Sequence, residues 1–566
     1  MTDFNFSFAR WRIGLGLLVC ATTLLAEPTL DLESLSQQPP VSVDQALAGQ
    51  KRQAGTLNLE LPPDLNQLMT SSQAKENSDL LRLSLPEVRA IALRNNLDLQ
   101  IAVLDPVIAA TQVSEEEAKF DQVIFVHAKY GQKDTPYYDD DMVTFSALDP
   151  DSELNKASGK LSLLPQKTDY FSVEGGVEVP LKTGGKVVLS TPLQHKQTYK
   201  GITTDEYRSA LKFSISQPLL RGMGIENNTA AIRIAEYQQQ TADVYTRLKT
   251  IRVLAEIDRI YWKLYEAWEV LNVRRLQYEN ATNHQMMVQR RIQEGLTAQV
   301  ELNRAEIGVA ERLEKLIMAR TQVKQVQRKL KLYLNDTAMT LDSDQWLAPK
   351  SEPTLFKFDF DRQQVEEQAL AGRLELLELE LKLAQDATKI AYLENQTLPL
   401  FMLEYRYAFN GRSDQSAGDS YEQVFSNDYN DWSIGLKFEL PVTNAAREAQ
   451  LERAVQQKMQ RLTTQRLRQL SIRREIFDAL DQVEQNWQRI LANRQNVILA
   501  GLNYQAEIRQ FTEGFRTMTE VLEMLTKLGE AQVREVKAVA DYQIALIDLA
   551  YATGTLLGYS KTGWQN

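Results

Sequence analysis

The sequence EGFRTMTEVLEML, residues 513–525, repeats the pattern of EGLTAQVELNRAE, residues 294–306. Each copy begins with a Glu-Gly pair, and a second glutamate, Glu301 or Glu520, follows six residues after the glycine. An apolar helical segment comes next. Glycine favours the left-handed backbone conformation that ends a helix and lets the chain reverse. The two stretches therefore predict the tips of two helical hairpins and indicate an internal duplication.

Long uninterrupted helices are predicted on the N-terminal side of both tips. Neither Gly nor Pro occurs from Ile225 to Glu294 or from Val442 to Ala500, and apolar residues in these segments recur at spacings of three and four. At 1.5 Å per residue, such segments would form helices of about 90 to 100 Å. Helices of this length are not needed in a compact globule, so extended hairpins are expected.

Strict alternation marks the predicted strands. WSIGLKFEL and FMLEYRYAF place apolar side chains on one face and polar ones on the other. The apolar face holds Trp432, Ile434, Leu436, Phe438, Phe401, Leu403, Tyr405 and Tyr407. Residues 207–215 alternate in the same way, and VIFVHAKY from Val123 is a weaker strand. This pattern is typical of transmembrane β-barrels, although a soluble half-buried sheet alternates equally well.

The landmarks divide the chain into two tandem repeats. Repeat 1 is predicted at 83–345 and repeat 2 at 365–558, with a proline-containing linker at 346–364, a Pro/Gln/Ser-rich extension at 27–82 and a C-terminal tail at 559–566. We expect the folded part of the chain to begin where Ser84 and Glu87 form a capping box. A helix is predicted to start there and to end at about Lys119.

A loop insertion of about 131–206 distinguishes repeat 1 from repeat 2. It contains FSVEGGVEVPLKTGGKVVLST, which predicts a further hairpin turning at Thr183, Gly184 and Gly185. The sequence leaves two placements open, because this hairpin would either extend a barrel or cap its pore.

The N-terminal segment 1–26 has the features of a secretory signal peptide: Arg10 and Arg12 precede a short apolar run. A lipoprotein alternative would instead make Cys20, the only cysteine, the first mature residue.

Composition argues against several classes of function. The formal net charge is −11 and basic residues are scattered, which disfavours nucleic acid as a partner. With one Cys and three His, no zinc or iron–sulfur spacing exists, so no metal or other cofactor is expected. The sequence also lacks a phosphate loop, a nucleophile elbow and a histidine-centred constellation, so we expect no enzyme.

Four predicted strands are too few to enclose a lumen, and lipid does not tolerate open sheet edges. Strands from several copies must therefore pair, and a trimer would supply twelve. The motifs SLPEVRAIALRNN (84–96), SISQPLLRGMG (214–224) and FELPVTNAAREAQ (438–450), together with the two tips, resemble those of the TolC-like family of outer-membrane efflux proteins. The resemblance covers about 83–558.

The resemblance implies a mainly α fold with β: two tandem repeats of long helical hairpins plus β-hairpins. It also implies a homotrimeric 12-stranded β-barrel in outer-membrane lipid, continued through the periplasm by an α-helical barrel. The expected function is the passive exit duct of a tripartite efflux or type I secretion system. Its expected partners are a periplasmic adaptor and an inner-membrane RND, ABC or MFS transporter. The alternative is a periplasmic coiled-coil scaffold or adaptor protein without a pore.

By the same resemblance, Glu520 and Glu523 would form an acidic ring at the periplasmic aperture and Arg516 would help to hold it shut. Glu301 is a further aperture candidate. The alternative for the glutamates is a solvated charge that the helix dipole favours in the first turn. Candidate adaptor contacts are Gly295, Leu296, Thr297, Gly514, Phe515 and Thr517, with ordinary turn residues as the alternative.

Overall fold

The computed structural model describes residues 36–42, 80–138, 163–200, 202–343 and 345–556. The predicted signal peptide, Cys20, the tail at 559–566 and most of the N-terminal extension lie outside these ranges. The described chain is mainly helical with antiparallel sheet, as predicted. The helices are α1 Leu85–Asn95, α2 Leu97–Glu117, α3 Ile225–Asn228, α4 Ala230–Gln293, α5 Gln299–Leu334, α6 Arg362–Gly372, α7 Leu374–Gln396, α8 Ala417–Ser426, α9 Ala445–Thr512 and α10 Met518–Thr553.

The strands fall into one large sheet and two small ones. They are β1 Ser36–Ser42, β2 Leu80–Leu83, β3 Val123–Tyr138, β4 Leu163–Pro180, β5 Lys186–Lys200, β6 Ile202–Pro218, β7 Trp346–Pro349, β8 Phe356–Phe360, β9 Leu400–Ser413 and β10 Asn430–Glu439. The large sheet is antiparallel, in the order β10-β9-β6-β5-β4-β3.

The chain divides into two compact units. Among the described residues, unit 1 comprises 36–42, 80–105, 242–343, 345–379 and 463–556, and it contains both hairpin tips and the two small sheets. Its core includes an apolar cluster built by α6, α9 and α10, in which Ile472, Ile476, Trp487 and Tyr542 are buried. Unit 2 comprises the described residues of 106–138, 163–200, 202–241 and 380–462, and it contains the large sheet and α8.

The predicted long helices are confirmed at Ala230–Gln293 and Ala445–Thr512. The single helix predicted from Ser84 to Lys119 is wrong in one respect, because it breaks at Asn96. Asn96 adopts an extended conformation, and its Oδ1 accepts a hydrogen bond from Leu99 N at 3.2 Å. Asparagine is a favoured N-cap because its side chain satisfies a free backbone N–H, so it starts a second helix here.

The segment assigned to a linker is not irregular throughout. It forms β7, which pairs with β2 in parallel, and β8, which pairs with β1 in antiparallel fashion. Strands β1 and β2 both come from the predicted N-terminal extension, so part of that extension joins the folded chain through backbone pairing.

The large sheet has more strands than the four whose place the sequence predicts. The sequence leaves the placement of one further hairpin open, and in the structure this hairpin brings the sheet to six strands. The additional strands are β4 and β5, which come from the loop insertion and turn at 181–185 as predicted. Gly184 has φ 91°, a conformation that suits glycine, and a Cβ there would lie 2.1 Å from Gly222 O.

Candidate functional site

The two hairpin tips use the same turn. In the first tip, Leu296 N donates to Arg291 O at 2.8 Å and Gly295 has φ 73°. In the second tip, Phe515 N donates to Gln510 O at 2.9 Å and Gly514 has φ 86°. Both are Schellman motifs, in which a left-handed glycine lets later N–H groups satisfy the last helical carbonyls. The repeated Glu-Gly sequence therefore has a local structural cause.

Two charged side chains join one tip to the other. Arg291 Nη1, in the last turn of α4, donates to Phe511 O at 3.3 Å and to Thr512 O at 3.1 Å. Glu301 Oε2, in the first turn of α5, accepts from Met518 N at 3.2 Å. The arginine binds the carbonyl end of α9 and the glutamate binds the N–H end of α10, so each charge matches a helix dipole. The tips are held in register by these reciprocal contacts.

Glu301 therefore has a structural role that the sequence alone does not indicate. The sequence predicts an aperture residue or a solvated first-turn charge at this position, whereas the side chain is only 17% exposed and caps the neighbouring hairpin. The role of Arg291 is also not evident from the sequence. Its position in the last turn before Gly295 indicates that it would bind the free carbonyls at a helix end, but the sequence does not reveal that those carbonyls belong to another helix.

Below the tips, α4, α5, α9 and α10 pack around a second apolar cluster. It contains Ala281, Val288, Ala305, Phe511, Met518, Val521 and Leu525, all buried. Gly308 permits the close approach of α5 to α10, because a Cβ there would lie 2.8 Å from Leu522 Cδ1. Arg312 is 4% exposed and donates to Gly308 O, Leu522 O and Thr526 Oγ1, each at 2.8 Å. The tips therefore rest on a closely packed support.

This support also contains a buried histidine. His284 on α4 is 6% exposed, and its Nε2 lies 2.7 Å from Tyr504 Oη on α9. Burial, with a smaller effect from the Arg312 charge, lowers the pKa of His284 to about 4. The imidazole is therefore neutral at neutral pH, and protonating it would place a second positive charge beside Arg312.

The stability of the folded chain is expected to fall as the pH decreases from about 6.5 to about 4. In this window the unfolded chain binds a proton on His284 and the folded chain does not, so unfolding is favoured by up to about 3 kcal/mol. Chemical unfolding of the detergent-solubilised protein across this range measures the loss, with His284→Gln as the control that does not titrate. Equal pH dependence in the two proteins would contradict the prediction.

The second tip contains a local ion pair. Arg516 Nη1 lies 2.7 Å from Glu520 Oε1, and Arg516 Nε donates to Gln510 Oε1 at 2.9 Å. Glu520 Oε2 accepts from Thr517 N at 2.8 Å, which completes a capping box at the start of α10. The hydrogen bond from the Thr517 backbone, assisted by Arg516, lowers the pKa of Glu520. Glu520 is therefore ionised, and within this chain it serves as a helix cap.

Glu523 lies one turn further along α10. Its Oε1 is 2.7 Å from Lys527 Nζ, and both side chains are 57% exposed. The structure thus places Arg516, Glu520 and Glu523 together on the solvent side of the second tip, while Glu301 faces the contact between the tips.

The predicted adaptor contacts lie where the two turns reverse. Leu296 and Phe515 occupy the same position in the two Schellman motifs, and their side chains are 64% and 78% exposed. Gly295, Gly514 and Thr517 are exposed and Thr297 is partly exposed. In this motif the apolar residue after the glycine often packs on its own helix. Here both stay exposed, so each tip presents an apolar projection.

In unit 2 the large sheet has one apolar and one polar face. One row of paired residues runs across the sheet from repeat 1 to repeat 2 and is entirely apolar. In it, Leu189 pairs with Phe213, Phe213 with Tyr407, and Tyr407 with Trp432. Opposed residues share a face, so the eight predicted lipid-facing residues lie together. On β10, the apolar side chains Trp432, Ile434, Leu436 and Phe438 are 60 to 66% exposed.

The polar face is lined by ion pairs that cross between strands. Lys186 Nζ on β5 lies 2.6 Å from Glu178 Oε1 on β4, and Arg412 Nε on β9 lies 2.6 Å from Glu206 Oε1 on β6. Charges of both signs along one face are suited to water rather than to lipid.

Helix α8 covers one end of the apolar face of the large sheet, and the part of that face left exposed forms an apolar band. Ser420 Oγ donates to Ser209 Oγ at 2.8 Å, and a Cβ on Gly411 would lie 1.7 Å from Ser420 O. Ser209 and Gly411 share the apolar face with Leu211 and Phe409, so α8 covers that face beyond them. On β9 the remaining band runs over residues 401–409, about 27 Å at ~3.4 Å per residue. This matches the ~25 Å apolar band of outer-membrane barrels.

Among the described residues, no helix combines the length and the apolar composition that crossing a membrane requires.

A model of the family described as outer membrane efflux protein matches residues 166–336 and 365–555, more than half of the chain. No curated protein matches the sequence.

Three solved structures are similar in fold, each at 14% sequence identity. The Campylobacter jejuni CmeC outer membrane channel has a TM-score of 0.60, with 84% of this chain and 86% of that chain covered. The outer membrane protein VceC of Vibrio cholerae has a TM-score of 0.57, with 83% and 96% covered. The open state of the Neisseria gonorrhoeae MtrE outer membrane channel has a TM-score of 0.55, with 84% and 90% covered.

Proposed function

The chain belongs to the outer membrane efflux protein family, which is TolC-like, and we propose that three copies form the exit duct of a tripartite efflux or type I secretion system. Family membership places the protein in the outer membrane. The observation that carries the proposal is the sheet of unit 2, which has an exposed apolar face, a charged face and open edges. Lipid on one side and water on the other is the environment that such a sheet requires.

Assembly into a trimer follows from the sheet edges. Strand β10 has no neighbour beyond it within the described chain, nor has β3 on the other side. In lipid each unpaired backbone group costs several kcal/mol, so the edges must pair between copies. Two arguments support the proposed trimer: the homotrimer that the family resemblance implies, and the need for the sheet edges to pair between copies.

The tips are proposed to contact a periplasmic adaptor, which connects the duct to an inner-membrane transporter of the RND, ABC or MFS class. The support is the pair of exposed apolar residues Leu296 and Phe515, presented on hydrogen-bonded Schellman turns. Exposed apolar groups with a fixed geometry are favourable anchors for a protein partner. In this arrangement the transporter would supply the energy for export.

Glu520 and Glu523 are proposed to line the aperture. In a trimer, one such pair from each copy would form an acidic ring that attracts cations and repels anions. Arg516 is bound to Glu520 within the same tip, so it would fix the direction of that carboxylate.

Planar bilayers containing the detergent-extracted protein test the proposed function, together with its mass in detergent. A trimer with cation-selective openings is expected, and Glu520→Ala with Glu523→Ala should shift the reversal potential toward zero. Glu530→Ala, two turns further from the tip, is the control for loss of a surface charge. An unchanged reversal potential in the double variant would refute the ring. A monomer that leaves the membrane without detergent and never conducts would refute the duct and favour a scaffold.

A further inference from the structure

The hairpin of β4 and β5, for which the sequence leaves two placements open, is fully integrated into the large sheet. Strand β3 pairs with β4 over its whole length, from Val123 opposite Glu178 to Tyr138 opposite Leu163. Strand β5 pairs with β4 on one side and with β6 on the other. A hairpin that capped a pore would leave β3 free to pair with β6, whereas here the hairpin separates them.

The two faces of the sheet continue through this hairpin without interruption. On the apolar face, Val177 of β4 opposes Leu189 of β5, and Leu189 opposes Phe213 of β6. Leu189 is 47% exposed, although it is a large apolar side chain in the middle of a sheet. On the polar face, Ser190 Oγ donates to Glu174 Oε1 at 2.9 Å. The hairpin thus has the same lipid-type and water-type faces as β9 and β10.

The number of strands is compatible with closure by copies of the same chain. All neighbouring strands are antiparallel and there are six, so β3 and β10 run in opposite directions. The β10 edge of one copy therefore meets the β3 edge of the next in antiparallel orientation. Every junction of the ring is then antiparallel, as in known outer-membrane barrels.

We propose that the β4–β5 hairpin forms part of the barrel wall, so that three copies close an eighteen-stranded barrel rather than a twelve-stranded one. This inference rests on the proposed trimeric duct. Barrel diameter grows roughly linearly with strand number, so the outer-membrane pore would be about 1.5-fold wider. Barrels of this size enclose an aqueous channel, and the duct would accept bulkier cargo through the outer membrane.

Site-directed spin labelling tests this placement. Leu189→Cys and Val188→Cys put labels on opposite faces of β5, in a background where the only native cysteine is removed by Cys20→Ser. Ile434→Cys and Ser433→Cys are the matched pair on β10. For each label in lipid vesicles, the collision rate with oxygen, which dissolves in lipid, is compared with that of a water-soluble nickel chelate. Val187→Cys provides a second position on the apolar face of β5.

We expect the label at 189 to be accessible to oxygen and shielded from nickel, with the reverse at 188, as at 434 and 433. If both β5 labels collide with nickel while the β10 labels keep their contrast, the hairpin lies outside the wall. That result would overturn the eighteen-stranded barrel and leave the proposed duct intact. If neither pair shows a contrast, the strands do not face lipid, and the proposed function itself fails.

Discussion

Replacing Ile434 by lysine is expected to abolish stable assembly in the outer membrane. Ile434 lies in the middle of β10 on the apolar face, is 61% exposed and pairs with Tyr405. A lysine that faces lipid near the bilayer midplane costs about 2–4 kcal/mol. A trimer would carry this cost three times, about 6–12 kcal/mol, which is comparable to the whole stability of many proteins. The amount of trimer recovered from the outer-membrane fraction measures the effect.

The adjacent residue provides the control. Ser433 is next to Ile434 on the same strand but on the polar face, opposite Arg406. Ser433→Lys adds the same charge to the same strand, and near-normal trimer recovery is expected because water solvates the ammonium group. Equal recovery of the two variants would show that the apolar face does not contact lipid.

The second large effect is expected at a buried ion pair in unit 1. Arg89 Nε lies 2.8 Å from Asp258 Oδ1 and Arg89 Nη2 lies 2.6 Å from Oδ2, with the two residues 8% and 0% exposed. Arg89→Met would leave the carboxylate buried without this partner, which typically costs 3–5 kcal/mol. Denaturant unfolding followed by the helical circular dichroism signal in detergent would measure the loss.

The double variant Arg89→Met with Asp258→Leu identifies the cause. An apolar replacement of both partners removes the buried charge together with its counterion, so most of the lost stability is expected to return. If the double variant is as unstable as Arg89→Met alone, lost packing rather than an uncompensated charge is responsible.

Much of the fold could be predicted because its signals are local. The Glu-Gly turns, the helices without Gly or Pro and the alternating strand of residues 432–440 depend on neighbours within a few residues. The sequence does not indicate the break at Asn96, although Asn is a favoured cap, because the apolar periodicity continues on both sides of it. The sequence predicts that the glutamates near the tips are either partners of a helix dipole or members of an acidic ring, and in the structure Glu520 completes a local capping box.

The sequence by itself determined the duplicated hairpins, their tips and the amphipathic strands, since each follows from residue spacing along one element. Only the tertiary structure decided which residues the buried and capping charges contact. Arg291 and Glu301 bind residues of the other tip that are 217 to 221 positions away in sequence, and Arg89 binds Asp258, 169 positions away. The tertiary structure also decided that β4 and β5 join the sheet. Apolar and polar residues alternate equally well in a hairpin within a barrel wall and in one that covers a pore. Only the pairing with β3 and β6 distinguishes the two placements. The sequence does not reveal that pairing, because it depends on residues distant in sequence.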